Sequence, residues 1–149
     1  MLTGRISDAD TAERVVRDGL ADFAIMGRAL IADSHLVEKY AAGRKDEICP
    51  CVACGQSCVG NADKMIPITC ALNPLSGREA SMPAVPKAET PRRVVVVGAG
   101  PAGLMAAATA AERGHEVILL ERSDRHGGQI NLAAVPPHKD NLRSEEHTS

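Results

Sequence analysis

Four consecutive valines run directly into a glycine-rich turn, and this junction restricts the fold more than any other part of the 149-residue sequence. Val94–Val97 is typical of a strand in a parallel sheet covered on both faces, because β-branched residues follow one another without polar alternation. Gly98, Gly100 and Gly103 come next, followed by an apolar helix over Leu104–Ala111. The first glycine permits a tight turn, the second lets a pyrophosphate approach the backbone, and the third lets the helix pack on the strand. The pattern predicts an α/β fold that binds a dinucleotide.

The residues after this helix also favour a dinucleotide. A second strand is predicted over Glu116–Leu120, and Glu121 lies at its end, where a carboxylate can accept hydrogen bonds from ribose hydroxyl groups. The alternative is a structural turn in another kind of α/β protein. Pro101-Ala102 is the variant that FAD-binding proteins favour after the second glycine. Gly127-Gly128-Gln129 fits that choice, because a second glycine turn can pass close to the flavin's phosphate or ribityl chain, although Gly-Gly-Gln alone is more often only a turn.

The five cysteines lie close together, between Cys49 and Cys70. Four of them have the spacing C-x2-C-x3-C-x11-C, namely Cys51, Cys54, Cys58 and Cys70. Their thiolates can converge on one metal centre if the backbone curls around it. The three-plus-one grouping favours a [4Fe–4S] cluster, since the ligands of structural zinc usually come in pairs. A zinc ion and free thiols remain alternatives, and Cys49 is interpreted as a bystander because Pro50 restricts the backbone beside it.

The first stretch of the chain has the pattern of a helix, a strand, a loop and a second helix. Ser7 is predicted to cap a helix that Gly19 ends, with apolar residues along one face. A short buried strand is predicted over Asp22–Met26, and a second helix from about Ser34 to Ala42. This order is that of the tail of an α/β unit rather than of a complete one.

Composition excludes several classes of partner. A formal charge of −2 gives no field that would attract nucleic acid or an anionic membrane. The uncharged stretch from Val94 to Ala111 contains several glycines, so a strand, a turn and a helix explain it better than a membrane span.

No apolar signal segment opens the chain, and the grouped cysteines suit a reducing compartment, so a cytoplasmic location is expected. One Phe, one Tyr and no Trp leave few anchors for a closed domain, which indicates part of something larger.

Together, these motifs resemble the Old Yellow Enzyme-like NADH:flavin oxidoreductases, in the iron–sulfur group of 2,4-dienoyl-CoA reductase, enoate reductase and trimethylamine dehydrogenase. Residues 21–33, Ala-Asp-Phe-Ala-Ile-Met-Gly-Arg-Ala-Leu-Ile-Ala-Asp, look like the last barrel strand and phosphate loop of that family. The four-cysteine loop, Asn73-Pro74 with Gly77-Arg78-Glu79, and Val97–Gly103 follow in the family's order. The resemblance extends from Gly4 to about Pro137 and strengthens the cluster interpretation over zinc.

The resemblance implies a three-part protein, with an FMN-bearing TIM barrel, a [4Fe–4S] loop and a Rossmann-like region for FAD and NAD(P)H. Residues 1–47 would be the C-terminal end of the barrel, 48–72 the cluster loop, 73–91 a linker, and 92–142 the first βαβ unit and N-terminal part of the FAD-binding domain. The implied FMN phosphate ligands are Gly4, Arg5, Gly27 and Arg28. The implied cluster ligands are Cys51, Cys54, Cys58 and Cys70. The implied FAD contacts add Ala102, Glu121 and Gln129 to the glycines of the turn, Gly98, Gly100 and Gly103.

In such a protein, electrons would pass from NAD(P)H to FAD and then through the cluster to FMN. From FMN they would pass as hydride to the C=C bond of an α,β-unsaturated small molecule, such as an enoyl-CoA, a dienoyl-CoA or an enoate. The alternatives are an amine dehydrogenase of the same family and a non-catalytic, metal-stapled nucleotide-binding module. Most of the barrel with its proton donor, and the NAD(P)H module, are absent from the sequence, so the chain alone is expected to be inactive. Residues 143–149, Arg-Ser-Glu-Glu-His-Thr-Ser, resemble a translated sequencing adapter and are expected to be an artificial end.

Overall fold

The structure is a computed structural model that describes residues 1–82 and 85–137. The chain divides into two compact units, one of residues 1–81 and one that starts at Met82. The adapter-like end predicted over residues 143–149 lies outside the described residues.

The first unit is built on a pair of short parallel strands. β1 (Leu2–Thr3) pairs with β2 (Ala24–Ile25), and α1 (Ala9–Arg17) connects them. The remaining elements are α2 (Gly27–Ala32), α3 (Leu36–Ala41), a 3-10 turn (Lys45–Glu47) and α4 (Val59–Ala62). Because the strands run parallel, their carboxyl ends meet at one edge, and the segments that begin at Gly4 and Gly27 leave the sheet there.

The first helix is capped by the residue after the predicted one. Asp8 is the N-cap, and its side chain accepts a hydrogen bond of 2.7 Å from the N–H of Thr11. The prediction of Ser7 is wrong because the Asp8 carboxylate satisfies this free N–H and also places a negative charge at the positive end of the helix dipole. The predicted end is confirmed, since Gly19 follows α1 with a φ of +69°.

The segment around β2 differs from the prediction. The strand covers Ala24–Ile25 rather than Asp22–Met26, and α2 begins directly at Gly27, where the sequence indicated a loop. The side chain of Ile25 is 42% exposed, so this strand is not the buried one that was predicted. The physical reason is that β2 has only β1 beside it in the two-stranded sheet of the described residues.

A small apolar core joins four segments of the first unit. It is formed by Ile6, Met26, Ala29 and Leu36. Leu36 is only 1% exposed, and burying a leucine side chain of this kind contributes about 1.5–3 kcal/mol. Ile48 and Cys51 pack against the same core, which fixes the start of the cysteine loop. The predicted second helix is confirmed as α3, although it is shorter than predicted.

The second unit contains the predicted order of strand, helix and strand. β3 (Arg93–Val97) pairs in parallel with β4 (Glu116–Leu120), and α5 (Pro101–Glu112) connects them; α6 (Ile130–Ala133) follows. The predicted bounds of β4 are confirmed residue for residue. No helix among the described residues is long and apolar enough to cross a lipid bilayer.

Within residues 85–137, one face of the sheet of the second unit is covered and the other is exposed. Val95 and Val97 are 53% and 82% exposed, whereas Val94 and Val96 are half-buried. A Cβ atom built on Gly103 of α5 would lie 3.6 Å from Val96, so α5 packs on this half-buried face. The prediction of a strand buried on both faces is therefore wrong for this structure, because α5 packs on a single face.

We expect Gly103→Ala to destabilise the second unit. A Cβ atom at this position would overlap the carbonyl oxygen of Gly98, so the helix and the turn would have to separate. Overpacking of this kind costs about 1–3 kcal/mol, which chemical denaturation would measure as a lower free energy of unfolding. Gly100→Ala is the control, because Gly100 has a φ of −76° and a Cβ atom there meets nothing within 4 Å. An equal loss in both variants would contradict the packing role of Gly103.

Candidate functional site

The glycine turn after β3 has the geometry of a phosphate site. Gly98 has a φ of +101°, and its N–H donates to the carbonyl oxygen of Leu120 at 2.7 Å, which continues the sheet by one residue. Gly100 is the N-cap of α5, and Pro101 takes the first helical position, where its missing N–H costs nothing. The free N–H groups of the first helical turn, which includes the exposed Ala102, lie at the positive end of the helix dipole. An anion at this turn would meet both hydrogen-bond donors and positive potential.

The second glycine turn lies directly against the first. The N–H of Gly127 donates to the carbonyl oxygen of Ala99 at 2.7 Å. Gly128 has a φ of +52°, and a Cβ atom on it would lie 3.2 Å from the Cα atom of Gly100. Gln129 follows as the N-cap of α6. The structure thus brings together two glycine segments that the sequence could relate only by their order.

Glu121 fastens the glycine turn to the end of the second strand. One oxygen of its carboxylate accepts a hydrogen bond of 2.7 Å from the N–H of Ala99, and the other accepts bonds of 2.9 Å and 3.0 Å from the N–H and hydroxyl of Ser123. The backbone N–H groups of Ser123 and Ala99 lower the pKa of Glu121 to about 2. Glu121 is therefore ionised at neutral pH and holds the glycine turn in place. It is also the residue that the sequence predicted to bind the ribose.

All four predicted cysteine ligands line one pocket of the first unit. They are Cys51, Cys54, Cys58 and Cys70, and no disulfide joins them. The backbone curls around this pocket, since Ala53 and Gly55 both have left-handed conformations, with φ values of +54° and +68°. Arg28 and Ile31 of α2 also line the pocket. Loop and helix together enclose one thiol-lined space.

The thiols surround the pocket rather than meet at a point. Cys54 is exposed and the other three are half-buried, and the N–H of Leu72 donates to the sulfur of Cys70 at 3.4 Å. Among residues 1–82 and 85–137, no three His, Cys, Asp or Glu side chains lie close enough together to hold a single metal ion. Cys49 is not among the residues that line this pocket.

The two predicted FMN phosphate segments lie at the carboxyl edge of the first sheet. Gly4 and Arg5 follow β1 with φ values of +121° and +52°, and Gly27 and Arg28 open α2 directly after β2. The structure brings the two segments to one edge because the strands are parallel neighbours. Arg28 is half-buried and also lines the cysteine pocket, a position that the sequence did not indicate.

A buried carboxylate that the sequence pattern did not reveal lies beside the cysteine loop. Asp33 is 5% exposed and accepts hydrogen bonds from the ammonium group of Lys39 at 2.7 Å and from the N–H groups of Cys49 and His35, each at 3.0 Å. Burial raises the pKa of Asp33, but these hydrogen bonds outweigh it and hold the pKa below its usual range. Asp33 ends the family-like motif of residues 21–33, but the sequence assigned it no role, because an aspartate at the end of a short helix is usually a surface residue.

Comparisons with known proteins relate the chain to oxidoreductases. Residues 93–149 match the family model of FAD dependent oxidoreductases. The chain is 44% identical to a metal reductase of Desulforamulus reducens over 89% of this chain and 20% of the relative. It is 46% identical to a multifunctional alkene reductase/demethylase of Caballeronia cordobensis over 88% of this chain and 19% of the relative. The chain thus spans about a fifth of the length of the curated relatives it matches.

Two solved structures resemble the chain along nearly all of its length. A 2-naphthoyl-CoA reductase in complex with 2-naphthoyl-CoA aligns with a TM-score of 0.91 and 35% identity, over 98% of this chain and 22% of that one. The histamine dehydrogenase of Rhizobium sp. 4-9 aligns with a TM-score of 0.86 and 32% identity, over 96% of this chain and 21% of that one.

The glycine turn and the carboxylate that fastens it lie within the residues that match the FAD dependent oxidoreductase model, and the relatives named above are oxidoreductases. The relatives include both alkene reductases and amine dehydrogenases. The resemblance to the Old Yellow Enzyme-like NADH:flavin oxidoreductases that was inferred from the motifs is confirmed by these relatives.

We expect Glu121→Gln to loosen the glycine turn in a pH-dependent way. The pKa of Glu121 in the folded protein, about 2, lies below the ordinary glutamate value of 4.5, so the ionised carboxylate stabilises the fold above about pH 4.5. That stabilisation is lost as the pH falls towards 2. The thermal unfolding midpoint of the variant should therefore lie below that of the wild type at pH 7, and the gap should narrow as the pH falls below 4.5.

Glu112→Gln is the matched control, because Glu112 is exposed at the end of α5 in the same unit. Its unfolding midpoint should follow that of the wild type at every pH. A gap between wild type and Glu121→Gln that stays constant from pH 7 to pH 3 would contradict the role of the ionised carboxylate.

Proposed function

We propose that this chain is the part of an iron–sulfur flavoprotein reductase that holds a [4Fe–4S] cluster and contributes to an FMN site and an FAD site. When bound, these groups would carry electrons from NAD(P)H through FAD and the cluster to FMN, and on to the C=C bond of an α,β-unsaturated substrate. The observation that carries the proposal is the single pocket lined by four cysteines, with Arg28 of the FMN phosphate segment in its wall.

The donor set of the pocket fits a cluster better than a zinc ion. All four cysteines line the same space, and their three-plus-one spacing differs from the paired ligands that are usual at structural zinc sites. A [4Fe–4S] cluster is larger than one ion and binds four thiolates at separate corners. The N–H of Leu72 directed at Cys70 supports a thiolate ligand there.

The FAD site is proposed at the carboxyl edge of the second sheet. The turn with Gly98, Gly100 and Gly103 would bind the pyrophosphate through backbone N–H groups, and Ala102 would contribute from the first turn of α5. Glu121 would accept hydrogen bonds from the ribose hydroxyls with the lone pairs that Ala99 and Ser123 leave available. Gln129 would contact the flavin side of the cofactor, a role that the close contact of the two glycine turns supports.

The FMN phosphate is proposed to bind Gly4, Arg5, Gly27 and Arg28. These residues leave neighbouring parallel strands at one edge, the arrangement in which the last strands of a TIM barrel bind phosphate. Residues 1–47 are accordingly proposed to be the end of such a barrel, 48–72 the cluster loop, 73–91 a linker, and 92–142 part of the FAD domain. Thiolate ligands of iron require a reducing compartment, so we propose the cytoplasm.

The substrate is proposed to be an enoyl-CoA, a dienoyl-CoA or an enoate. Similarity to a 2-naphthoyl-CoA reductase over 98% of the chain supports reduction of an unsaturated thioester. The second candidate is amine oxidation, which the similarity to histamine dehydrogenase supports. The two candidates share the cofactor sites described above, so activity measurements must separate them.

Anaerobically purified protein should contain about four iron and four sulfide ions per chain. Replacing any one of Cys51, Cys54, Cys58 or Cys70 by alanine should abolish this stoichiometry, because each supplies one corner ligand. Cys49→Ala is the matched control, and it should retain the iron and sulfide of the wild type. One zinc ion per chain, without sulfide, would contradict the proposal, and metal and sulfide analysis makes the distinction.

The full-length protein should oxidise NADH or NADPH under anaerobic conditions when an enoyl-CoA or an enoate is supplied, with one alkene reduced per NAD(P)H. Saturated analogues serve as the control, since they offer no C=C bond to accept a hydride. Reduction of an artificial electron acceptor by dimethylamine or histamine, with no turnover of alkenes, would instead establish the amine dehydrogenase. Absorbance at 340 nm and product analysis measure the first outcome, and dye reduction measures the second.

A further inference from the structure

We propose that Asp33 is a positioning residue that, together with Asn73, fastens both flanks of the cysteine loop to the end of α2 and so holds the four thiols around their pocket. This inference rests on the proposed cluster function of that pocket. Asp33 lies on the helix end rather than in the loop, and it is not one of the residues that line the pocket.

The upstream flank is fixed through the Asp33 carboxylate. Its Oδ2 atom accepts hydrogen bonds from the N–H of Cys49 at 3.0 Å and from Nζ of Lys39 at 2.7 Å. Lys39 also donates to the carbonyl oxygen of Glu47 at 2.8 Å. The N–H of Cys49 and the carbonyl oxygen of Glu47, both just before Cys51, are thus tied to the ion pair of Asp33 and Lys39. The side chain of Asp33 is 5% exposed and that of Lys39 is 22% exposed.

The downstream flank is fixed through Asn73. Its Nδ2 atom donates to the carbonyl oxygen of Ala32 at 2.9 Å, and its Oδ1 atom accepts from the N–H of Leu75 at 2.9 Å. Ala32 is the last residue of α2 and the direct neighbour of Asp33. The two ends of the cysteine loop are therefore held at adjacent residues of one helix end.

Closing the loop at both ends explains how it can keep four thiols in place. Almost all of the loop's internal hydrogen bonds lie between residues 55 and 69, such as those from Asn61 to the carbonyl oxygen of Pro67 and from the N–H of Thr69 to that of Ser57, both 3.0 Å, so they do not fix the ends of the loop. A segment with free ends would lose much conformational entropy when its ligands converge, whereas a segment with fixed ends has lost part of it on folding. The anchors therefore preorganise the ligands before a cluster is assembled.

A carboxylate is required at position 33 because three donors converge on it. Asn has one acceptor oxygen, so its NH2 group would face either the two donors that now share Oδ2, Lys39 and Cys49, or the N–H of His35 on Oδ1. Asp33→Asn keeps the size of the side chain and removes one acceptor and the charge that pairs with Lys39, so it tests the anchor without creating a cavity. Asn73→Ala tests the other flank. Asp46→Asn is the control, because Asp46 is an exposed aspartate in the adjacent 3-10 turn.

The first measurement is amide hydrogen exchange in the metal-free protein. Asp33→Asn should accelerate exchange of the Cys49 N–H by about tenfold, and Asn73→Ala should accelerate exchange of the Leu75 N–H by the same factor. In both variants the N–H of Leu104 in α5 should exchange at the wild-type rate. The second measurement is the EPR spectrum and lifetime in air of the reconstituted protein. Both variants should shift the spectrum and shorten the lifetime severalfold, whereas Asp46→Asn should match the wild type. Merely structural damage would lower the yield of cluster and leave the spectrum of the remaining cluster unchanged.

The outcomes separate this inference from the function on which it rests. Wild-type exchange at Cys49 and a wild-type EPR spectrum in Asp33→Asn would overturn the positioning role, while the iron content would still support the cluster. Exchange that accelerates as expected in a protein that binds no iron and sulfide would overturn the cluster function, and Asp33 would then be a structural anchor only.

Discussion

Parallel strand pairing is the constraint on which the candidate FMN phosphate site and the candidate FAD site depend. In each unit, two neighbouring strands run in the same direction and a helix connects them, so the segments that follow the strands leave at the same edge. In the first unit this brings Gly4 and Gly27 to one edge, and in the second it places Glu121 beside the glycine turn. Residues that lie far apart in the sequence thereby come within reach of one another. The sites are therefore consequences of strand direction, and the chemistry of the side chains acts on a geometry that the backbone has already determined.

The second unit was predictable from sequence because its signals are local. The bounds of β4 and the turn that opens α5 follow from a valine run, a glycine pattern and an apolar helix that each lie within a few residues. The requirement at Gly103 is equally local, since its contact is with Gly98, five positions away. The spacing of the cysteines similarly identified the four residues that line one pocket. In each case the pattern in the chain and the contact in space cover the same short segment.

The features that sequence could not predict depend on contacts between distant segments. Asp33 acts through the backbone of Cys49, and Arg28 reaches the pocket only because α2 begins directly after β2. The exposure of Val95 and Val97 depends on which elements cover the sheet, and composition cannot say whether a covering helix is present. The cap at Asp8 was missed for another reason, since Ser7 and Asp8 are both good caps and only the backbone geometry decides between them.

Electrostatics at the glycine turn decides how a dinucleotide can lie there. The carboxylate of Glu121 is ionised, and it is hydrogen-bonded to Ala99, within the turn that would receive a pyrophosphate. Two like charges at 4 Å repel by about 1 kcal/mol in water and by more where water is excluded. In the proposed FAD site, the phosphates would therefore lie towards the N-terminus of α5, where the helix dipole attracts them, and the uncharged ribose would lie towards Glu121. The residue that fastens the turn would thus also set the direction of a bound cofactor, because one end of the proposed site attracts negative charge and the other repels it.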